Sequence, residues 1–91
     1  MKIQGGRRVE TIIVEICIGI TGNVSDFVLP AHVPVQALIS ELIKLIEQVF
    51  PYITFDHETP ILYEMDKGSA IPMHLSLAQA GIRDSSRLLL V

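Results

Sequence analysis

The chain has 91 residues, an apolar fraction of 49% and a formal net charge of −3. This length and apolar fraction suffice for one domain with one hydrophobic core that needs no metals or disulfides. The acidic balance without a basic cluster argues against nucleic-acid binding, and no apolar run reaches the ~18–20 residues that span a bilayer. The single cysteine, Cys17, cannot form an internal disulfide, which fits a reducing compartment. We therefore expect a soluble, cytoplasmic, single-domain protein that is not inserted in a membrane.

The first eight residues have little to bury and include a Gly-Gly-Arg-Arg cluster at residues 5–8. Such a cluster could bind an anion, but it lacks the spacing of a phosphate-binding loop and the helix that would follow one. Residues 1–8 are therefore predicted to be a flexible tail, and residues 9–91 to be the domain.

The segment VETIIVEICI, residues 9–18, is rich in β-branched residues and predicts the first strand. Its alternation predicts a row that faces the core, formed by Ile12, Val14, Ile16 and Ile18. The opposite row is mixed in character and should face outward; it consists of Thr11, Ile13, Glu15 and Cys17.

A glycine-rich turn over residues 19–23 leads to a second predicted strand, residues 24–29. Phe27 and Leu29 fall on one face of this strand, and Asp26 and Val28 on the other. The two strands are thus predicted to form a hairpin.

The segment VQALISELIKLIEQVF, residues 35–50, predicts one long helix. On a helical wheel its apolar residues occupy one arc of roughly 160°. These residues are Val35, Leu38, Ile39, Leu42, Ile43, Leu45, Ile46, Val49 and Phe50. Pro34 and Pro51 bound the helix, because proline is tolerated in a first turn and disfavours helical geometry just before it. A stripe this wide predicts a sheet beneath the helix.

Residues 51–60 are predicted to be irregular, and ILYEM, residues 61–65, to be a third strand. The inward face of that strand stays open, because Ile61, Tyr63 and Met65 or Leu62 and Glu64 could each face the core. A turn over residues 66–69 and at most a short edge strand over residues 70–73 follow.

The closing segment opens with Ser76-Leu77-Ala78-Gln79, the Ser-x-x-Gln form of a capping box, and Gly81 suits the left-handed residue that ends such a helical turn. Residues 83–86 reverse the chain, and RLLLV, residues 87–91, predicts the last strand. A first strand beside the last one, with the helix between them in sequence, implies a parallel pair and a right-handed crossover. The predicted fold is an α+β β-grasp, with a mixed four- to five-stranded sheet packed on one long helix.

This order, closed by SLAQAGIRDSSRLLLV, resembles ubiquitin over residues 9–91. Within the ubiquitin-like proteins, LPAHVPVQALISEL and LAQAGIRDSSRLLL are similar to the YukD/EsaB family of small bacterial proteins. The resemblance implies an accessory or regulatory component of a type VII secretion system, related to the ubiquitin-like domain of EccD. It also implies protein partners among the cytosolic parts of the secretion machinery.

Ubiquitin and the sulfur carriers act through a flexible Gly-Gly tail, whereas Val91 aligns inside the last strand. The sequence therefore predicts a protein that is not conjugated. A second hypothesis is a modifier or sulfur carrier whose tail is missing from this sequence. A third is an adaptor domain that works within a larger assembly or as a homodimer.

No catalytic constellation, metal site or cofactor site is predicted. His32, His57 and His74 do not stand at metal-ligand spacing from one another or from Cys17. Asp56, His57 and Glu58 are more typical of a solvated loop than of a weak metal site. We therefore expect a protein that is not an enzyme.

The outward row of the predicted hairpin is the candidate protein-binding surface. Its residues are Ile13, Glu15, Cys17 and Val28. An outward apolar strip can mark a partner site, although isolated exposed apolar residues are equally ordinary. The resemblance favours binding, because ubiquitin-like domains commonly use this face.

Overall fold

The computed structural model describes residues 10–55 and 60–91. The predicted tail, Val9 at the start of the predicted first strand, and the loop around His57 lie outside the described residues. No helix within the described ranges is long and apolar enough to cross a membrane.

The described residues form one α-helix and a five-stranded sheet in the strand order β2-β1-β5-β3-β4. The elements are β1 (Thr11–Ile18), β2 (Val24–Pro30), α1 (Val35–Val49), β3 (Leu62–Glu64), β4 (Ser69–Ala70) and β5 (Arg87–Leu90). β1 and β5 run parallel, and every other neighbouring pair is antiparallel. This arrangement confirms the ubiquitin-like β-grasp, including its parallel central pair.

The core lies between one face of the sheet and α1. Val14, Ile16 and Ile18 of β1 are fully buried, as the predicted inward row requires, and Ile12 packs against the edge of the core. Leu88 and Leu90 of β5 continue this face beside β1. The buried residues of α1 follow helical spacing and are Val35, Leu38, Ile39, Leu42 and Ile46.

The predicted helical stripe is wider than the buried one. Leu45 is 37% exposed and Val49 is 50% exposed, although both fall within the apolar arc. A helix contacts a sheet along one line of its surface, so Leu45, at the margin of the arc, is left partly in solvent. Val49 lies inside the arc but is the last residue of α1. The helix ends at Val49, and Phe50 caps it by donating its backbone N–H to the Ile46 carbonyl at 2.8 Å.

Four predicted strands are shorter or displaced in the structure. β1 begins at Thr11 and β5 ends at Leu90, so Glu10 and Val91, which fall within the strands predicted over residues 9–18 and 87–91, lie outside the observed ones. β3 comprises only Leu62–Glu64 rather than residues 61–65, although Ile61 and Val91 beside it still exchange backbone hydrogen bonds at 2.7 and 2.9 Å. β4 is Ser69–Ala70 rather than residues 70–73. Pro72 lacks the N–H that a longer strand would need.

The open question about β3 is settled by Glu64, which faces inward with Leu62 and is only 7% exposed. A buried carboxylate needs a hydrogen-bond donor. The Lys67 backbone N–H supplies one, donating to Glu64 Oε1 at 2.6 Å. Tyr63 consequently lies on the outer face of the sheet.

The closing segment holds the start of α1. Pro34 stands at the N-cap, one residue before the helix, rather than inside it, and has no side-chain oxygen to offer. The free N–H groups of Val35 and Gln36 instead donate to the Leu75 and Met73 carbonyls at 2.8 and 2.9 Å. A loop distant in sequence therefore takes the place of a capping side chain.

The predicted capping box forms as a hydrogen-bonded turn and not as a regular helix. The Ser76 N–H donates to Gln79 Oε1 at 2.9 Å, and the Gln79 N–H donates to Ser76 Oγ at 3.1 Å. Gly81 follows with a φ of 78°, the left-handed conformation expected from the sequence.

Candidate protein-binding surface

The predicted surface residues share the outer face of the sheet, opposite α1. Ile13 and Val28 are directly paired between β1 and β2, and their side chains are 51% and 59% exposed. Glu15 and Cys17 lie on the same face and are half-buried. The structure therefore brings the four predicted residues together.

A continuous line of uncharged side chains crosses this face at right angles to the strands. Cys17 of β1 is paired with Val24 of β2 on one side and with Leu89 of β5 on the other. Leu89 is paired with Tyr63 of β3, and Tyr63 with Ala70 of β4. We call these five residues the apolar row; it spans the whole width of the described sheet.

A shallow groove of about 380 Å³ adjoins the row on the β3–β5 side. Its lining includes Tyr63 and Leu89 of the row together with Met65 and Val91, whose side chains are exposed. The apolar area of the face is therefore larger than the predicted strip and is centred on Leu89 of β5, not on the β1–β2 hairpin.

Charged side chains border the apolar row on one side. Glu15 is paired with Asp26 of β2 and with Arg87 of β5. The Arg87 guanidinium donates from Nη2 to Asp66 Oδ1 at 2.9 Å, and this contact raises the pKa of Arg87. Arg87 is thus bonded to Asp66, and two carboxylates, Glu15 and Asp26, face each other across β1 and β2.

A second groove of about 920 Å³ lies between Glu10–Ile12 and residues 78–84. Its polar groups hold the fold together: Asp84 Oδ1 accepts the Ile13 N–H at 2.8 Å, and Lys67 Nζ donates to the Ala80 carbonyl at 3.4 Å. Glu10 pairs with His32 at 2.5 Å. Because Asp84, Lys67 and Glu10 already have partners within the chain and Arg83 is the remaining charged lining residue, the outer face is the better candidate for binding.

The sequence predictions missed Leu89 and Tyr63. The outward position of Leu89 could be found from the alternation of Leu88, Leu89 and Leu90 along the last strand. Tyr63 could not be placed, because its parity depends on the inward-facing carboxylate of Glu64. Within the described ranges, no three His, Cys, Asp or Glu side chains are grouped so that they could hold a metal ion. His57 lies outside those ranges.

Comparison with known proteins identifies the family. The family model described as YukD, a protein of the WXG100 protein secretion system (Wss), matches residues 11–90, from the start of β1 to the end of β5. The chain belongs to the YukD family. This YukD-family protein is a ubiquitin-like component associated with type VII, or WXG100, secretion systems. No curated protein sequence matches it at a significant level.

Solved structures show the same fold. The ubiquitin-like domain of the Mycobacterium tuberculosis type VII secretion protein EccD1 is 26% identical, with a TM-score of 0.72 over 90% of this chain and 98% of that domain. A chain of the MycP5-free ESX-5 inner membrane complex is 20% identical, with a TM-score of 0.72 over 89% of this chain and 20% of that one. Caldiarchaeum subterraneum ubiquitin is 16% identical, with a TM-score of 0.66 over 89% of this chain and 91% of that protein.

Proposed function

We propose that this YukD-family protein is a non-enzymatic binding module that acts in the cytoplasm as an accessory or regulatory component of a type VII secretion system. It attaches to a cytosolic protein component of that machinery through the apolar row and the groove beside it. Ile13, Glu15, Cys17 and Val28 are the part of this surface that lies on the β1–β2 hairpin.

The apolar row carries the proposal. A line of side chains such as Leu89 and Tyr63, crossing all five strands without a charge, is a larger outward apolar feature than isolated exposed residues provide. The core does not need these side chains, because Leu88, Leu90 and Leu62 already fill the inner face. A covering partner would explain why this side of the sheet is apolar.

The ESX-5 comparison supports a partner within the secretion machinery. In that inner membrane complex, a domain with this fold makes up about a fifth of a longer chain. Our proposal is that the present chain meets a secretion component through its own contact surface.

The test is affinity capture from the native host with tagged wild-type chain and the Leu89→Arg variant. We expect the wild-type chain to recover a type VII secretion component. Leu89→Arg should recover much less, because it places a charge at the centre of the surface that the partner buries.

Gln48→Arg is the matched control, since it adds the same charge on the exposed side of α1. It should capture as much as the wild type, and thermal unfolding should show that both variants are folded. Equal capture by Leu89→Arg, or no secretion component captured by the wild type together with normal secretion in a deletion strain, would contradict the proposal.

A further inference from the structure

The edge of β2 is a second candidate binding surface, because its backbone offers hydrogen-bonding groups at the border of the sheet. β2 is an outermost strand of the described sheet and is seven residues long, whereas the opposite edge strand, β4, has two residues. In an outer strand, the backbone N–H and C=O groups of every second residue point away from the sheet and have no partner strand. The direction in which those groups point follows from the hairpin.

The hydrogen bonds at the two ends of the hairpin fix that direction. The Ile18 N–H donates to the Asn23 carbonyl at 2.8 Å, and the Ala31 N–H donates to the Glu10 carbonyl at 2.9 Å. The register between these ends is continuous. Residues 25, 27 and 29 therefore point their backbone groups toward β1, and Val24, Asp26 and Val28 point theirs to the free side.

The side chains along this edge indicate which residues a bound segment would need. Val24 and Val28 are exposed on the outer face, with Asp26 between them. Asp26 faces Glu15 in the adjacent strand, and like charges placed directly opposite are unfavourable. The cation nearest in the register, Arg87, is bonded to Asp66. A basic side chain opposite Asp26 would relieve this repulsion.

We propose that the β2 edge binds an extended segment of another protein by strand addition, with Lys or Arg opposite Asp26 and apolar residues opposite Val24 and Val28. Val24, Asp26 and Val28 share a face, so their partners in the segment stand at every second position. The segment therefore carries an apolar, a basic and an apolar residue, each separated from the next by one residue. This inference goes beyond the proposed function, since it concerns backbone hydrogen bonding at the free edge of β2, although Val24 also belongs to the apolar row and Val28 to the proposed surface. Either proposal can fail without the other.

A second copy of the chain is a poor occupant of the same edge. The antiparallel register with the largest overlap pairs Val24 with Pro30 of the other copy, which has no N–H to donate. The next register, shifted by two residues, pairs Val24 with Val28 and Asp26 with Asp26. Two carboxylates directly opposite destabilise that pairing. Pro30, which has no N–H, further limits the edge to its first residues.

The test is an NMR titration of the full chain with two synthetic peptides, Thr-Val-Thr-Lys-Thr-Val-Thr and the same peptide with Glu in place of Lys. We expect the Lys peptide to bind about tenfold more tightly and to slow hydrogen exchange of the Val24, Asp26 and Val28 amides. Asp26→Lys should reverse the preference. Glu41→Lys, the same charge change on the exposed side of α1, should leave it unchanged.

A pair of variants at one position separates the edge from the outer face. Val28→Pro removes an outward N–H but none that bonds to β1, so it should abolish peptide binding in a folded chain. Val28→Thr keeps the N–H and should bind. Four results would each overturn the proposal: equal binding of both peptides, shifts confined to Cys17, Leu89, Tyr63 and Ala70 of the apolar row, slow exchange of the Val24, Asp26 and Val28 amides in the free monomer, or concentration-dependent pairing of the free chain through β2.

Discussion

The Leu42→Ala variant should lose about 2–5 kcal/mol of unfolding free energy. Leu42 is fully buried at the middle of α1, where the helix meets the sheet. Truncation removes three carbons from this contact and leaves a cavity that rigid strands close only in part. Since small domains are stabilised by about 5–15 kcal/mol, this one change would remove a large share of the total.

Urea denaturation followed by circular dichroism measures the loss, with an unchanged slope showing that the two-state transition is preserved. Leu45→Ala is the matched control, three residues along the same helix but 37% exposed, and should cost less than about 1 kcal/mol. Equal losses at the two positions would show that the helix is rotated relative to the described contact.

The second large effect is expected in β1, where Ile16→Ala should also cost about 2–5 kcal/mol. Ile16 is fully buried and is paired with Ser25 and Leu88 in the neighbouring strands. Its loss would leave a gap under the helix at the parallel pair that organises the sheet.

Ile13→Ala is the control within the same strand. Ile13 is the same residue type on the opposite face, and half of its side chain is exposed, so its loss should cost less than about 1 kcal/mol. Comparing the losses of unfolding free energy in the two variants shows which face of β1 lies toward the core, because a register shift of one residue would exchange the two losses.

Much of the fold is predictable because its signals are local. The alternation of Ile12, Val14, Ile16 and Ile18 assigns the faces of β1, and the spacing of Leu38, Leu42 and Ile46 orients α1. What sequence alone does not show depends on contacts between distant residues. The inward Glu64 is tolerated because a backbone N–H reaches it, and the helix start is satisfied by carbonyls more than thirty-five residues away.

The part of the candidate surface that lies on the hairpin was predictable from local sequence, and the apolar row was not. Ile13, Glu15, Cys17 and Val28 follow from the parity of one hairpin, and their shared outward face is confirmed by the pairing of β1 with β2. The apolar row needs the register of four strand pairs. Because long-range pairing sets that register, the row and its centre at Leu89 are visible only in the folded chain.

The most direct test of the central claim, that the apolar row is covered by a secretion component, is the rate of maleimide alkylation at Cys17. Cys17 is the only cysteine in the sequence and lies within the row, so the intact mass of the chain reports modification at this point alone. A Cys17→Ser, Gln48→Cys variant places the thiol on the exposed side of α1 and serves as the control. In a stoichiometric complex with the cytosolic part of the cognate secretion machinery, we expect alkylation to slow at Cys17 and not at the control thiol. An unchanged rate at Cys17 in that complex would contradict the account.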